Sequence, residues 1–377
     1  MLSIGFDAKR LYRNFTGLGN YSRTLLRTLA EMRPDWHYHL FTPRVNEVPR
    51  LDFLKKIPHL DVHTPAGAWA ALPAAWRSWG MSGDIRRSGV SIYHGLSHEL
   101  PAGLPGKSIK KVVTIHDLIF ERYPEQYPLL DRQVYRYKFR QACQAADVVV
   151  AISEQTKADI IEYYKIDPAR IQVIYQSCEP IFQEPAKEAN QAAVRLKYGL
   201  PADYLLYVGS VIERKNLLGV VKALQQLKDY PDLPLVIVGD GRGYRQQVES
   251  YIAARGLQSR IFWYKTLDFA DLPVFYQLAR TFVLPSLFEG FGIPIIESLS
   301  SGTPVVTSRD SCFRETAGPG ALYVDPLDPG AIAEAIRRLL GDSQLHRELA
   351  TAGKQYVKRF DAPVIGSTWV KLYESIT

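Results

Sequence analysis

The run Phe282-Val-Leu-Pro-Ser-Leu-Phe-Glu-Gly-Phe-Gly-Ile-Pro-Ile-Ile-Glu297 decides the fold. Three strand-forming residues lead into a turn with two glycines and then into an apolar segment opened by proline, the pattern strand, turn, helix. Pro294 has no N–H to donate and suits a first helical turn, so the spacing predicts a helix from about Ile293 with Ile295, Ile296 and Leu299 buried. Glu289 then sits just past a strand, and Glu297 in the first turns of the helix. Gly290 and Gly292 let the backbone approach a ligand, and the free N–H groups of a helix start attract anions. Taken alone, the stretch is also a capped helix with a surface carboxylate.

The same rhythm runs through the chain. Strand patterns fall at Ile4–Phe6, Tyr38–Phe41, Val112–Ile115, Val148–Ile152 and Ile171–Tyr175, then at Leu205–Val208, Leu235–Val238, Ile261–Trp263, Phe282–Leu284 and Val305–Thr307, with helical patterns between them. This is the grammar of parallel sheets with crossover helices. The expected fold class is α/β, with two Rossmann-like doubly wound domains facing each other across a cleft lined by strand carboxyl ends. The expected boundaries are 1–178 for an acceptor-binding domain, 179–358 for a nucleotide-sugar-binding domain, and 359–377 for a last helix that packs outside or returns to the first domain.

With 377 residues, 46% hydrophobic and 23% charged, the chain suits two soluble domains, and no apolar run is long enough to span a bilayer. Leu2–Asp7 already reads as a strand, which leaves no room for a signal segment and gives the expectation of a cytoplasmic protein. Cys143, Cys178 and Cys312 are odd in number and lack metal-site spacing, so they are read as bystanders. The formal charge of +7 is uneven: residues 1–177 hold 24 Lys and Arg against 17 Asp and Glu, whereas residues 178–377 hold 22 of each. A basic first half suits nucleic acid, an anionic membrane surface, a phosphorylated substrate or plain solubility, and charge does not choose among them.

Further candidates lie at strand ends. Arg214 and Lys215 precede a helix that Asn216 is expected to cap; a cationic pair suits a diphosphate, both bound and as a leaving group. Gly17 and Gly19 mark the first strand-to-helix turn, without the third glycine of a dinucleotide fingerprint, so NAD binding is not expected. His116 follows Val112-Val-Thr-Ile115, where an imidazole can bond a hydroxyl or be structural. Trp69, Trp76 and Trp79 lead into Arg86-Arg87, which reads as a bilayer-interface or acceptor-tail segment or as a core helix pair. The chain contains no Asp-X-Asp, the usual clamp for a divalent ion on a nucleotide diphosphate, so no metal or other cofactor is expected.

Glu289-Gly-Phe-Gly-Ile-Pro-Ile-Ile-Glu297 followed by Ser301-Gly-Thr-Pro-Val-Val306 resembles the signature of the family 4 retaining glycosyltransferases, of GT-B fold. The glycine turn at 17–19, Tyr93-His94-Gly95, Thr114-Ile-His-Asp-Leu118, Arg214-Lys215 and Leu322-Tyr-Val-Asp-Pro-Leu-Asp-Pro329 extend the resemblance over nearly the whole chain. It is most similar to the bacterial branch that adds mannose or related sugars in polysaccharide and lipopolysaccharide assembly.

The resemblance implies that Glu297 bonds the nucleotide ribose, Glu289 faces the donor sugar, and Arg214 and Lys215 hold the diphosphate. It further implies that Phe291 and Gly292 complete the donor site through their backbone, that His116 contacts the sugar, and that Gly17 and Gly19 leave room for donor phosphate or acceptor. Ser210 stands where many relatives have arginine. The expected donor is a nucleotide diphosphate sugar, GDP-mannose ahead of a UDP-hexose, with base recognition near Tyr264–Leu267. The expected partners are a glycan or lipid-linked acceptor and an anionic membrane surface, at the inner face of the cell membrane, with no nucleic acid. Cation-assisted departure with same-face attack ranks ahead of double displacement through Glu289. Rivals are a GT-B epimerase or phosphorylase and a non-catalytic sugar- or nucleic-acid-binding module.

Overall fold

The computed structural model describes residues 1–14, 16–104 and 108–377. The chain divides into two units, Met1–Ser177 with Asp361–Thr377, and Cys178–Phe360.

In the first unit β1 (Ser3–Asp7), β2 (His37–Phe41), β3 (Leu60–His63), β4 (Ile92–Gly95), β5 (Lys110–Ile115), β6 (Val148–Ala151) and β7 (Ile171–Val173) form one sheet in the order β3-β2-β1-β4-β5-β6-β7. Every pairing is parallel. The apolar runs of the middle strands are explained by burial on both faces. Val112, Val148 and Val150 face a core with Leu25, Leu29 and Trp369, whereas Val113, Val149 and Ala151 face Phe139, Ala142 and Ile160. The helix Ala362–Ser375 belongs to this unit: Trp369 and Tyr373 are buried in the first of those cores, and Tyr373 Oη bonds His94 Nδ1 at 2.7 Å.

In the second unit β8 (Leu205–Val208), β9 (Leu235–Val238), β10 (Ile261–Tyr264), β11 (Thr281–Leu284), β12 (Val305–Ser308) and β13 (Ala321–Val324) form a parallel sheet ordered β10-β9-β8-β11-β12-β13. The order reverses at β8, so β8 and β11, neighbours in the sheet, send their connections to opposite sides. That is the switch point at which open α/β sheets bind ligands.

The sequence reading missed β3, β4 and β13. β4 reads Ile-Tyr-His-Gly, with only two apolar residues, yet all four are buried because His94 is hydrogen-bonded on both ring nitrogens, to Tyr373 and to Thr114 Oγ1 at 2.8 Å. The tryptophan segment divides between its two readings. Trp76 is fully buried and donates to Asp84 Oδ2 at 2.6 Å, whereas Trp69 and Trp79 are exposed. No helix among the described residues is long and apolar enough to cross a membrane.

Candidate active site

Arg214, Lys215 and Glu289 meet at the carboxyl ends of β8 and β11. Glu289 is 9% exposed, with Oε2 3.1 Å from Arg214 Nη1 and Oε1 3.0 Å from Lys215 Nζ. Ser286 Oγ donates to Oε1 at 3.1 Å, and Arg214 also donates to the Phe288 carbonyl. Burial alone would raise the Glu289 carboxyl, but Lys215 and then Arg214 outweigh it and hold the group at about 2. A buried carboxylate with two fixed cations is thus ionised at any ordinary pH. The cations are themselves mostly buried, and their charge is committed to this carboxylate.

Local structure fixes the cluster. Leu287 N donates to Arg214 O at 2.7 Å, joining the two strand-end loops directly. Asn216 takes a left-handed conformation, with φ of 55°, and caps the helix Leu217–Gln226 by accepting from Gly219 N at 3.2 Å. Its amide donates to the Pro285 carbonyl at 3.2 Å, so the expected cap also pins the β11 loop. Ser210 is exposed on the β8 side, its carbonyl accepting from Tyr207 Oη at 3.3 Å.

Gly292 caps the helix Ile293–Ser300 at φ of 96°, a conformation closed to most other residues. Ile295, Ile296 and Leu299 are fully buried, as the proline-opened pattern requires. Gly290 and Phe291 are buried before it, and Phe291 packs edge-on against Phe360 at 5.3 Å. Glu297 is buried rather than at the surface, and accepts from Tyr276 Oη at 2.9 Å. Desolvation raises its carboxyl to about 7 against the smaller opposing effect of that hydrogen bond.

Cys312, read as a bystander, is buried against the loop that carries Glu289. Its single S–H lies within donating distance of the carbonyls of Glu289 at 3.3 Å and Phe291 at 3.1 Å. Thr316 Oγ1 donates to Phe291 O at 2.6 Å and Ser311 Oγ to Glu289 O at 3.2 Å. Ser286, Ser311, Cys312, Thr316 and Tyr276 are therefore part of this site and were missed. The signal available was the polar run Ser308-Arg-Asp-Ser-Cys312 after β12, which reads like any loop.

In the first unit, His116 is buried at the end of β5 and both ring nitrogens are engaged. Nε2 lies 2.9 Å from the Leu96 carbonyl, which requires a proton there, and Nδ1 accepts from Gln176 Nε2 at 2.9 Å. Burial, with a smaller effect of His98, lowers it to about 3, so the ring is neutral. His116 was expected to contact the sugar; in the structure its two ring nitrogens face the Leu96 carbonyl and Gln176. Gly19 likewise has a reason of its own: a Cβ there would lie 1.6 Å from the Asn14 carbonyl, so the close approach of that loop requires glycine. Gly17 opens the helix Gly17–Met32, and a Cβ there would meet nothing within 4 Å.

The model of glycosyl transferases group 1 matches residues 195–356, and that of glycosyltransferase family 4 matches residues 15–179. Over 95% of its length the chain is 31% identical to O-antigen chain mannosyltransferase B of Escherichia coli, 96% of which is covered. The chain belongs to the family 4 glycosyltransferases. Solved structures agree on the two-domain GT-B fold. A glycosyltransferase of Rickettsia africae superposes with a TM-score of 0.77 at 19% identity, covering 100% of this chain and 98% of that one. Anabaena HepE in complex with UDP-glucose gives 0.75 at 17% identity, with 100% of both chains covered. The chain is a glycosyltransferase by this membership, and the buried Arg214–Lys215–Glu289 cluster falls within the group 1 match.

Proposed function

We propose that this glycosyltransferase moves a mannosyl group, with retention of configuration, from GDP-mannose to a hydroxyl of a glycan or lipid-linked acceptor in O-antigen or lipopolysaccharide assembly. The observation that carries the reading is the convergence of Arg214 and Lys215 on one buried carboxylate at the switch point of the second sheet. Two cations fixed in a mostly buried site need little reorganisation when negative charge develops, which is what stabilises a departing diphosphate.

In this reading the diphosphate takes a share of Arg214 and Lys215 from Glu289. The backbone of Phe291 and Gly292 and the N-terminus of the helix Ile293–Ser300 add N–H donors. Glu297 accepts from the ribose hydroxyls, which requires its ionised form. As the anomeric C–O bond breaks, its electron pair goes to the diphosphate. The acceptor oxygen bonds to the anomeric carbon on the same face, and its proton passes to a phosphate oxygen. His116 bears on the sugar with its ring held by Gln176 and the Leu96 carbonyl. No step is assigned to a metal ion.

The mannose donor is favoured by the name of the Escherichia coli relative; the UDP-glucose complex of HepE keeps a UDP-hexose as the competitor. A lipid-linked acceptor is favoured by a cavity of about 690 Å³ in the first unit, lined by Trp79, Met81, Leu100, Val134 and Tyr137 with Arg77 in its wall. The basic first half and the exposed Trp69 and Trp79 suit peripheral attachment to an anionic membrane. Thermal shift against nucleotide diphosphates and their sugars tests the donor: ligand at a hundred times its Kd adds about 2.7 kcal/mol. GDP and GDP-mannose are expected to give the largest shifts, and no shift with any donor would overturn the reading. The anomeric configuration of the product, read by NMR, tests retention.

A further inference from the structure

β3 lies at the edge of the first sheet and pairs with β2 so that His39 stands opposite Asp61 and Phe41 opposite His63. Side chains two residues apart on a strand share a face, so His37 and His39 project to the same side as Asp61 and His63. Their donor atoms converge. His37 Nε2 is 2.8 Å from Asp61 Oδ2, His39 Nδ1 is 3.7 Å from that same oxygen, and His39 Nδ1 is 3.0 Å from His63 Nε2. The donors of His37, His39 and Asp61 all lie within 4.8 Å of one another.

From this geometry we infer that His37, His39 and Asp61 form a binding site for a divalent transition ion of the zinc class, with His63 packed beside it. Nitrogen and oxygen ligands about 2.0–2.1 Å from a tetrahedral ion stand roughly 3.3 Å apart. The separations of Asp61 Oδ2 from His37 Nε2 and from His39 Nδ1, 2.8 and 3.7 Å, bracket that value. Two imidazoles and one carboxylate, with a fourth position left to water, make a donor set suited to zinc, cobalt, nickel or copper rather than to magnesium or calcium.

Packing holds the rings in place before any ion arrives. His37 stacks on His39 at 4.2 Å, His39 on His63 at 5.3 Å, and His63 on Phe41 at 4.5 Å. His39 is 3% exposed, and among the described residues its Nε2 has no hydrogen-bond partner. The ring is thus set by what its Nδ1 side faces, and gains nothing on the other. Asp61 and half-buried His37 reach solvent, which gives an ion an entry path. An ion here would tie the short edge strand β3 to β2 and has no part in the Arg214–Lys215–Glu289 cluster, which belongs to the second unit.

The test uses the untagged full chain, stripped with a chelator and titrated with zinc chloride by calorimetry, and with cobalt chloride by absorption. One equivalent of zinc with submicromolar affinity, a raised Tm, and a tetrahedral cobalt spectrum are expected. The double variant His37→Ala/Asp61→Ala is expected to weaken zinc binding by more than about a hundredfold. Both residues lie at the surface, so its metal-free circular dichroism and Tm should match the stripped parent, and donor turnover should be unchanged. Zinc binding that persists in the double variant, or no binding at one equivalent by a parent chain of native Tm, overturns the site.

Discussion

Glu289 and Glu297 are eight residues apart, both buried, and their surroundings act on them in opposite directions. Glu289 faces Arg214 and Lys215 and is held at about 2, whereas burial raises Glu297 to about 7 against the weaker pull of the Tyr276 phenol, both from an ordinary 4.5. Each displacement is worth about 3 kcal/mol. Glu289 contributes stability that is present above pH 4.5 and is lost as pH falls toward 2. Glu297 works the other way: between pH 4.5 and 7 the unfolded chain has released a proton that the fold retains, so raising pH through that window costs stability. The difference teaches that equal burial does not mean equal role: one carboxylate is a fixed charge among charges, the other a titrating acceptor.

The largest expected effect comes from removing the fixed charge. Glu289→Gln should lower turnover about a thousandfold while donor affinity changes less than tenfold, because charge in this cluster matters most when the leaving group departs. Two buried cations left facing an amide should also cost about 3–5 kcal/mol. Steady-state kinetics beside donor titration checks the first and denaturant unfolding the second. Equal losses in turnover and affinity would make Glu289 a binding group and break the contrast with Glu297.

Glu297→Gln should act on binding instead. Donor affinity is expected to fall about thirtyfold, the worth of roughly 2 kcal/mol in hydrogen bonds to a charged acceptor. In the parent, donor affinity should rise with pH through about 7 as Glu297 ionises, and in the variant this dependence should vanish. Calorimetric titration from pH 5.5 to 8.5 reads both. A variant that keeps the parent profile would move the titration to another group.

Much of this site was legible because the chemistry is local in sequence. Arg214 and Lys215 adjoin, Asn216 caps the helix Leu217–Gln226, and Pro294 opens the helix Ile293–Ser300; each carries a short-range rule. What was not legible is long-range. Nothing in Ser-Cys at 311–312 says that a thiol will hold the Glu289 carbonyl, and nothing in Tyr276 says that it will meet Glu297. The strands show the same division. β5 and β6 announce themselves by apolar runs, whereas β4 depends on Thr114 and Tyr373 to make His94 buriable. Glu297 was expected as a ribose ligand, but its raised carboxyl follows from burial, which spacing does not report. The pairing of His37 and His39 with Asp61 and His63 likewise needed the β2–β3 register.

A smaller effect is expected where a histidine and a glutamine act as a pair. Gln176 donates to His116 Nδ1, which fixes the ring's proton on Nε2 toward Leu96. Gln176→Ala should lower turnover about fivefold through loss of ring orientation, and His116→Ala should lower it more. The double variant should be no worse than His116→Ala alone, since Gln176 acts through the ring. Independent losses that multiply in the double variant would show that Gln176 acts by another route.

Cys312→Ala should have the smallest effect, although the thiol is fully buried and touches the backbone of the segment that carries Glu289. The two carbonyls it serves each have a second donor: Ser311 Oγ for Glu289 and Thr316 Oγ1 for Phe291. Removing the sulfur therefore leaves neither oxygen wholly unsatisfied, and a thiol is a weak donor to begin with. The cost reduces to a small cavity and one weak, shared bond, about 1–2 kcal/mol, or a Tm lower by a few degrees in a unit of this size. Turnover should stay within about threefold of the parent, because Lys215 and Arg214 reach the Glu289 carboxylate from the other strand end and do not depend on residue 312. A loss of turnover as large as that of Glu289→Gln would mean that the loop, and not the cations, sets where the carboxylate stands.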